Sequence, residues 1–219
     1  MAKTSSIFAS ISPGLDIDEA TSGLVSTMKA FDIEADEALD GIASKINSIG
    51  NSQALSNSMI VEFLTRSSAA MKEANNTLEE TIALGTAATE VTQDAASVGN
   101  ALKTISMRVR GYDEETEEFI GNVEVLDGKI ANLTKTAERP GGISLFTDET
   151  KTTFKSTTQL LRDIAEIYND LTDKQQAGLL EALAGGFSLP EYAVMYIKNI
   201  FNCRYCLRAL YHNNWETRL

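Results

Sequence analysis

Residues 95–111 read AASVGNALKTISMRVRG. Val98, Ala101, Leu102, Ile105 and Val109 lie at offsets of three, four, seven and eleven, which places them on one face of an α-helix. Asp94 or Ser97 is suited to cap its start, because a short side-chain oxygen accepts from the free amides of a first turn. Arg108 and Arg110 fall in the last turn, where cations suit the negative end of the helix dipole. Gly111 is able to take the left-handed conformation that ends a helix. The two arginines read as exposed cations that complete the helix terminus, with a contact to a partner as the alternative.

The same period runs outward in both directions. Upstream, Ile17, Ala20, Leu24, Met28 and Phe31 step by three or four behind an Asp16–Glu19 capping pattern. Ala35, Leu39, Ile42, Ile46 and Ile49 follow, stopped by Gly50-Asn51. A third helix from about Ser56 turns Ile60, Phe63, Leu64 and Met71 inward and ends at Asn75-Asn76. Thr77 and Glu80 open a fourth helix with a second capping pattern, its inward set Leu84, Ala87, Ala88 and Val91. Five short helices in about 100 residues, joined by tight turns, favour antiparallel neighbours in a compact all-α bundle. Residues 1–14, with Pro13-Gly14 as a turn, are expected to be an irregular lead, and 15–111 the five-helix core.

Downstream, Phe119, Val123, Leu126, Ile130 and Leu133 step four, three, four, three. This predicts one longer heptad-patterned helix within 112–138, with the acidic run Asp113, Glu114, Glu115, Glu117 and Glu118 at its positive end. The stripe either packs on its own domain or forms a seam with another copy, and those five residues are the candidate interaction seam. Gly121 and Gly128 each weaken such a helix by about 1 kcal/mol relative to Ala. Arg139-Pro140-Gly141-Gly142 then breaks the helix, and Ile143, Leu145 and Phe146 form a short extended piece. One helix carries Phe154, Leu161, Ile164, Tyr168 and Leu171; another starts at Asp173–Gln176 and stops at Gly185-Gly186. Residues 139–186 are thus the break plus the last helices of the core.

Composition narrows the function classes. The 219 residues hold 19 Lys+Arg and 31 Asp+Glu, a formal net charge of -12. Such a chain is repelled by nucleic-acid phosphates and anionic lipid, so autonomous nucleic-acid binding is not expected. No apolar run reaches the roughly 18 residues of a membrane span, and the start MAKTSSIFASIS has no signal-peptide pattern. The cytoplasm is the expected place of synthesis. Cys203-x-x-Cys206 with His212 makes three metal-ligand residue types where a structural zinc needs four, so no metal site is assigned. One histidine, and neither a P-loop, a G-x-G-x-x-G nor a G-x-S-x-G, argue against an enzyme; no catalytic residue and no cofactor is assigned.

Residues 187–219 differ from the rest. They hold the only Trp and His, both cysteines and four of the six tyrosines. They carry 4 Lys+Arg and 2 Asp+Glu, net +2, against 15 and 29, net -14, in the first 186. This segment is either a genuine appendage or the product of a frameshift, which would yield such a sudden rise in rare residue types.

The run TLEETIALGTAATEVTQDAASVGNALKTISMRVRG, Thr77 to Gly111, closely resembles the core region of phage tail tape-measure proteins of tailed phages and prophages of Gram-positive bacteria. LDIDEATSGLVSTMKAFDIEADEALDGIASKINSIGN (15–51), IVEFLTRSSAAMKEANNTLEETIAL (60–84) and TFKSTTQLLRDIAEIYNDLTDKQQAGLLEALAG (153–185) resemble the same family. The resemblance spans about residues 14–185. It implies a virion structural and assembly protein that sets tail length and lies in the tail tube. The partners it implies are tube proteins, tail-assembly chaperones and further copies. A ruler works by length, and 219 residues at 1.5 Å each reach only about 330 Å as one unbroken helix. The expectation is therefore a fragment or truncated form, too short to measure a tail alone. The alternative is a small all-α interaction module acting through the 119–133 seam.

Overall fold

In the computed structural model, which describes residues 2–113, 118–119 and 123–185, the chain is all-α. The helices are α1 (Ala2–Ser10), α2 (Ile17–Phe31), α3 (Ser44–Gly50), α4 (Asn57–Glu73), α5 (Leu78–Thr92), α6 (Ala95–Arg108), α7 (Val123–Leu133), α8 (Thr157–Ile167) and α9 (Asp173–Ala184). A π turn, Leu39–Ala43, runs directly into α3, and a 3-10 turn, Tyr168–Asp170, follows α8. A two-residue antiparallel ladder, β1 (Tyr112–Asp113) with β2 (Glu118–Phe119), stands between α6 and α7.

Local chemistry sets the helix ends. The Asp16 carboxylate accepts from the Glu19 amide at 2.8 Å while Glu19 accepts from the Asp16 amide at 3.3 Å. Thr77 and Glu80 do the same at 3.1 and 2.8 Å. Asp94 takes the Ser97 amide at 3.0 Å. Each pair satisfies first-turn donors that have no partner inside the helix. Helix α9 opens one residue earlier than the sequence pattern indicates: Thr172 and Gln175 form the box, not Asp173 and Gln176. Gly111 has φ +84°, and any Cβ there would also meet Val123 Cγ2 at 2.4 Å.

Helix α5 is the axis of the bundle, with every residue from Thr81 to Thr89 buried. Helix α4 packs between α2 and α6 and also lies against α5. Phe63 of α4 is wholly buried at this crossing. The neighbours come close because they carry no side chain there. A Cβ on Gly85 would sit 2.3 Å from the Phe63 ring, and one on Gly99 2.9 Å from the Phe63 carbonyl oxygen. Burying each large side chain of this core contributes about 1.5–3 kcal/mol. The same apolar cluster continues through Ile143, Leu145, Leu160, Leu161, Ile164, Leu179 and Leu183.

Four expectations need correction. The lead is not irregular: residues 2–10 are helical, because Phe8 and Ser5 are drawn into the core beside α2. Val91 is 52% exposed and Ile17 54% exposed, since both fall at helix ends that overhang the bundle. Ala35 is exposed and lies before the π turn, outside any helix. The helix expected within 112–138 begins only at Val123 and ends at Leu133. A helix through the acidic run would set Asp113 against Glu117 and Glu114 against Glu118 at i,i+4 spacing, which destabilises helices. The chain instead makes an extended ladder, and that puts Phe119 in a strand.

The extended piece after the break is present. Phe146 bridges Phe154 in antiparallel register, and the Lys155 amide donates to the Leu145 carbonyl at 2.9 Å. Ile143, Leu145 and Phe146 are all buried.

Candidate functional site

Val123, Leu126, Ile130 and Leu133 share one face of α7; Phe119, in β2, is separate from it. Ile130 is wholly buried, and the other three are half-buried against the same core. Helix α9 covers this face. The Leu133 side chain lies 3.0 Å from where a Cβ on Gly178 would stand. Gln175 Nε2 donates to the carbonyls of Leu133 and Lys135, both at 3.1 Å, which completes the end of α7. Lys129 and Glu181 pair at 3.4 Å on the rim. The outer face carries Glu124, Val125, Lys129 and Asn132, with Val125 70% exposed. The stripe therefore meets its own chain.

An acid sits within this inner face. Asp127 is 4% exposed and accepts from the Ser144 hydroxyl and the Leu145 amide, each at 2.8 Å. Lys151 closes the site at 2.8 Å. Burial pushes the Asp127 carboxyl up, but Lys151 and the two hydrogen bonds outweigh it and hold the group below its ordinary range. Nearby, Asp148 organises the 147–153 loop by accepting from the amides of Thr152 and Thr153 and the hydroxyls of Thr150 and Thr152. These bonds hold its carboxyl far below the usual range.

The two arginines are not free surface cations. Arg108 Nε donates to the Ala182 carbonyl at 3.1 Å, so it completes a helix terminus, but that of α9 rather than its own. Arg110 Nη2 donates to the Lys155 carbonyl at 3.2 Å, and its guanidinium lies 4.4 Å over the Phe154 ring. Burial pulls the Arg110 guanidinium below its ordinary value, with Glu73 partly offsetting this.

Asn76, which the sequence marks only as a helix stop, is a buried joint. Its amide group donates to the carbonyls of Met71 and Ala74 at 2.8 and 3.0 Å, and its oxygen accepts from the Thr158 amide and hydroxyl, both at 2.9 Å. It thus closes the end of α4 and the start of α8 at once. Beside it a cleft of about 580 Å³ is lined by Phe31, Ile33, Lys45, Lys72, Leu78 and Glu79 among others. Lys45 is paired with Glu79, and Lys72 lies 3.9 Å from Asp32. Burial pushes the Glu79 carboxyl up, and the Lys45 contact more than compensates, leaving it below its usual value.

Among the described residues no three His, Cys, Asp or Glu side chains converge as metal ligands, and no helix is long and apolar enough to cross a membrane. Cys203, Cys206 and His212 lie outside the described residues, as does the whole 187–219 segment.

Apart from Asp148, which orders its own loop, the polar side chains described above share one use: each holds one segment of the chain to another, through backbone carbonyls, amides or an ion pair. Fold and contacts together define an all-α structural domain. More particularly, the chain belongs to the phage-related minor tail proteins, the model of that family matching residues 1–185. Neither a curated protein nor a solved structure gives a match.

Proposed function

We propose that residues 15–185 are the core domain of a tail tape-measure protein, a virion structural and assembly component rather than an enzyme. The observation that carries this reading is the family match over residues 1–185, which ends where the composition changes. The ordered blocks resembling tape-measure cores give the finer assignment within that family. The helical bundle agrees with it, since the polar side chains described above serve internal joints rather than a reaction centre. By this reading the partners are the tube protein, the tail-assembly chaperones and further copies. The protein is made in the bacterial cytoplasm and travels in the tail.

The 123–133 stripe is not needed for it, because Ile130 belongs to the chain's own core. The test is in-frame removal of residues 15–185 from the gene in its phage or prophage, with tails imaged after induction. Missing tails, or tails of scattered length, are expected. Tails of unchanged length and full infectivity would refute the proposal.

A further inference from the structure

Helix α4 has unlike surroundings at its two ends, which its 17 residues hold about 25 Å apart. Three sets of contacts fix what lies at its start. Ser12, just after α1, accepts from Asn57 Nδ2 at 2.7 Å. Helix α2 runs alongside α4 in the same direction, since a Cβ on Gly23 would meet Val61 while Asp32 lies 3.9 Å from Lys72. Gln93, just after α5, donates from Nε2 to the Ala54 carbonyl at 3.3 Å. Ile11, Ile17 and Val91 are therefore all at the start of α4. They are three of the four large apolar side chains exposed among the described residues. Asp16, Asp18 and Glu19 are exposed around Ile17. Asp16 and Glu19 hold each other in the capping box, and Asp18 stands outside it.

The other end is hollow. The cleft of about 580 Å³ lies where α2 and α4 finish and α5 begins. Phe31, Ile33 and Leu78 give it an apolar wall, with Lys45 and Lys72 among the lining residues. Lys45 is held by Glu79. Lys72 reaches Asp32 only at 3.9 Å with both groups exposed, and such a pair adds at most about 1 kcal/mol. Lys72 is thus the lysine that a carboxylate from outside can take.

Charge decides which of these surfaces can meet. Copies that each carry -12 repel one another, so a contact has to put unlike charges together. Two α4-start ends face to face would set Asp16, Asp18 and Glu19 against the same carboxylates. The start of one copy against the cleft of the next brings Asp18 to Lys72 and apolar side chains to an apolar wall. We propose that copies of this chain associate head to tail, Ile11 and Ile17 of one copy entering the Phe31–Ile33–Leu78 cleft of the next, with Asp18 paired to Lys72. Each added copy leaves one free start and one free cleft, so association continues beyond a dimer. The inference does not rest on the tape-measure reading, since it uses only the two ends of the bundle.

The experiment measures the weight-average mass of the full-length chain by sedimentation equilibrium over a concentration series, with helicity and melting temperature followed alongside. The wild-type mass is expected to rise with concentration past that of a dimer. Ile17→Asp, Asp18→Lys and Lys72→Glu each alter an exposed side chain. Each is expected to leave the chain folded and to weaken association about fivefold or more. Asp18→Lys and Lys72→Glu combined in one chain should recover the wild-type mass, because the pair is restored with its signs exchanged. A contact between two like ends would show no such recovery. A wild type that stays at monomer mass at every concentration would overturn the proposal. So would association that the single changes leave untouched, which would then use another surface such as residues 187–219, or a double variant that associates no better than the single ones.

Discussion

Asn76 shows how much a single side chain carries in this fold. Its four hydrogen bonds join two helix ends that are 82 residues apart in the chain at their Thr158 contact. Asn76→Ala leaves two carbonyls and a first-turn amide without that partner, in a site closed to water. Buried unsatisfied groups cost about 1–3 kcal/mol each, so a loss of about 2 kcal/mol or more is expected in urea unfolding. Gly85→Ala is expected to cost about 1–3 kcal/mol, since its Cβ meets the buried Phe63 ring at 2.3 Å. The smaller side chain of Phe63→Leu should recover part of that loss in the double variant, read by the same unfolding curves. Asp127 governs a pH effect whose sign follows from its lowered pKa. A carboxylate lowered in the folded state adds stability above its unfolded pKa of about 3.9, and that share is lost as pH falls through the folded value. Glu80 works the other way: burial raises its pKa, so its contribution improves as pH falls. Asp127→Asn should therefore lower stability at pH 7 and flatten the acid limb below about pH 4, with wild type and variant converging there. Parallel acid limbs in the two proteins would show that Asp127 is not its source.

At the scale of elements, the sequence made the caps and stops legible, because they are local chemistry. Asp16, Thr77 and Asp94 act where their spacing to Glu19, Glu80 and Ser97 puts them. The apolar face of α6 is buried as its spacing indicates. What could not be read was set by distant partners. Arg108 and Arg110 look like ordinary last-turn cations until Ala182 and Phe154 are placed beside them. The α1 helix is short and weakly patterned, and only docking of Phe8 makes it worth forming. The heptad stripe was visible, but its period does not reveal what lies on it. Asp127 within that stripe was the one local sign that a polar segment had to cover it. Leu126→Asp distinguishes the two uses of the stripe. Leu126 packs on the core, so a carboxylate there is expected to lower the melting temperature clearly with no change of mass, measured by sedimentation and thermal unfolding together. A lower mass from a chain that still melts normally would assign the stripe to a contact between copies.

At the scale of the molecule, the described bundle and the family match both reach residue 185, and the chain continues for 34 residues beyond. Helix α9 ends with Gly185 at φ +78°, where its amide donates to Glu181, and Arg108 lies against the same turn. Leu179, Leu183 and Ala184 are buried, and α9 packs on α6 and α7. The remaining segment is aromatic and net positive, whereas the first 186 residues carry -14. We propose that it was not selected to fit this surface, as a changed reading frame would leave it. A chain cut back to residues 1–186 should then keep its helical circular dichroism and melt within a few degrees of the full-length protein. It should also stay soluble at higher concentration, because Tyr192, Tyr196, Ile197, Ile200 and Phe201 no longer add apolar surface. A truncated chain that melts far lower would make residues 187–219 part of the fold and remove the structural case for a frame change. Reading the DNA beyond codon 186 in all three frames tests the genetic case separately: the tape-measure pattern should resume in one of the other two.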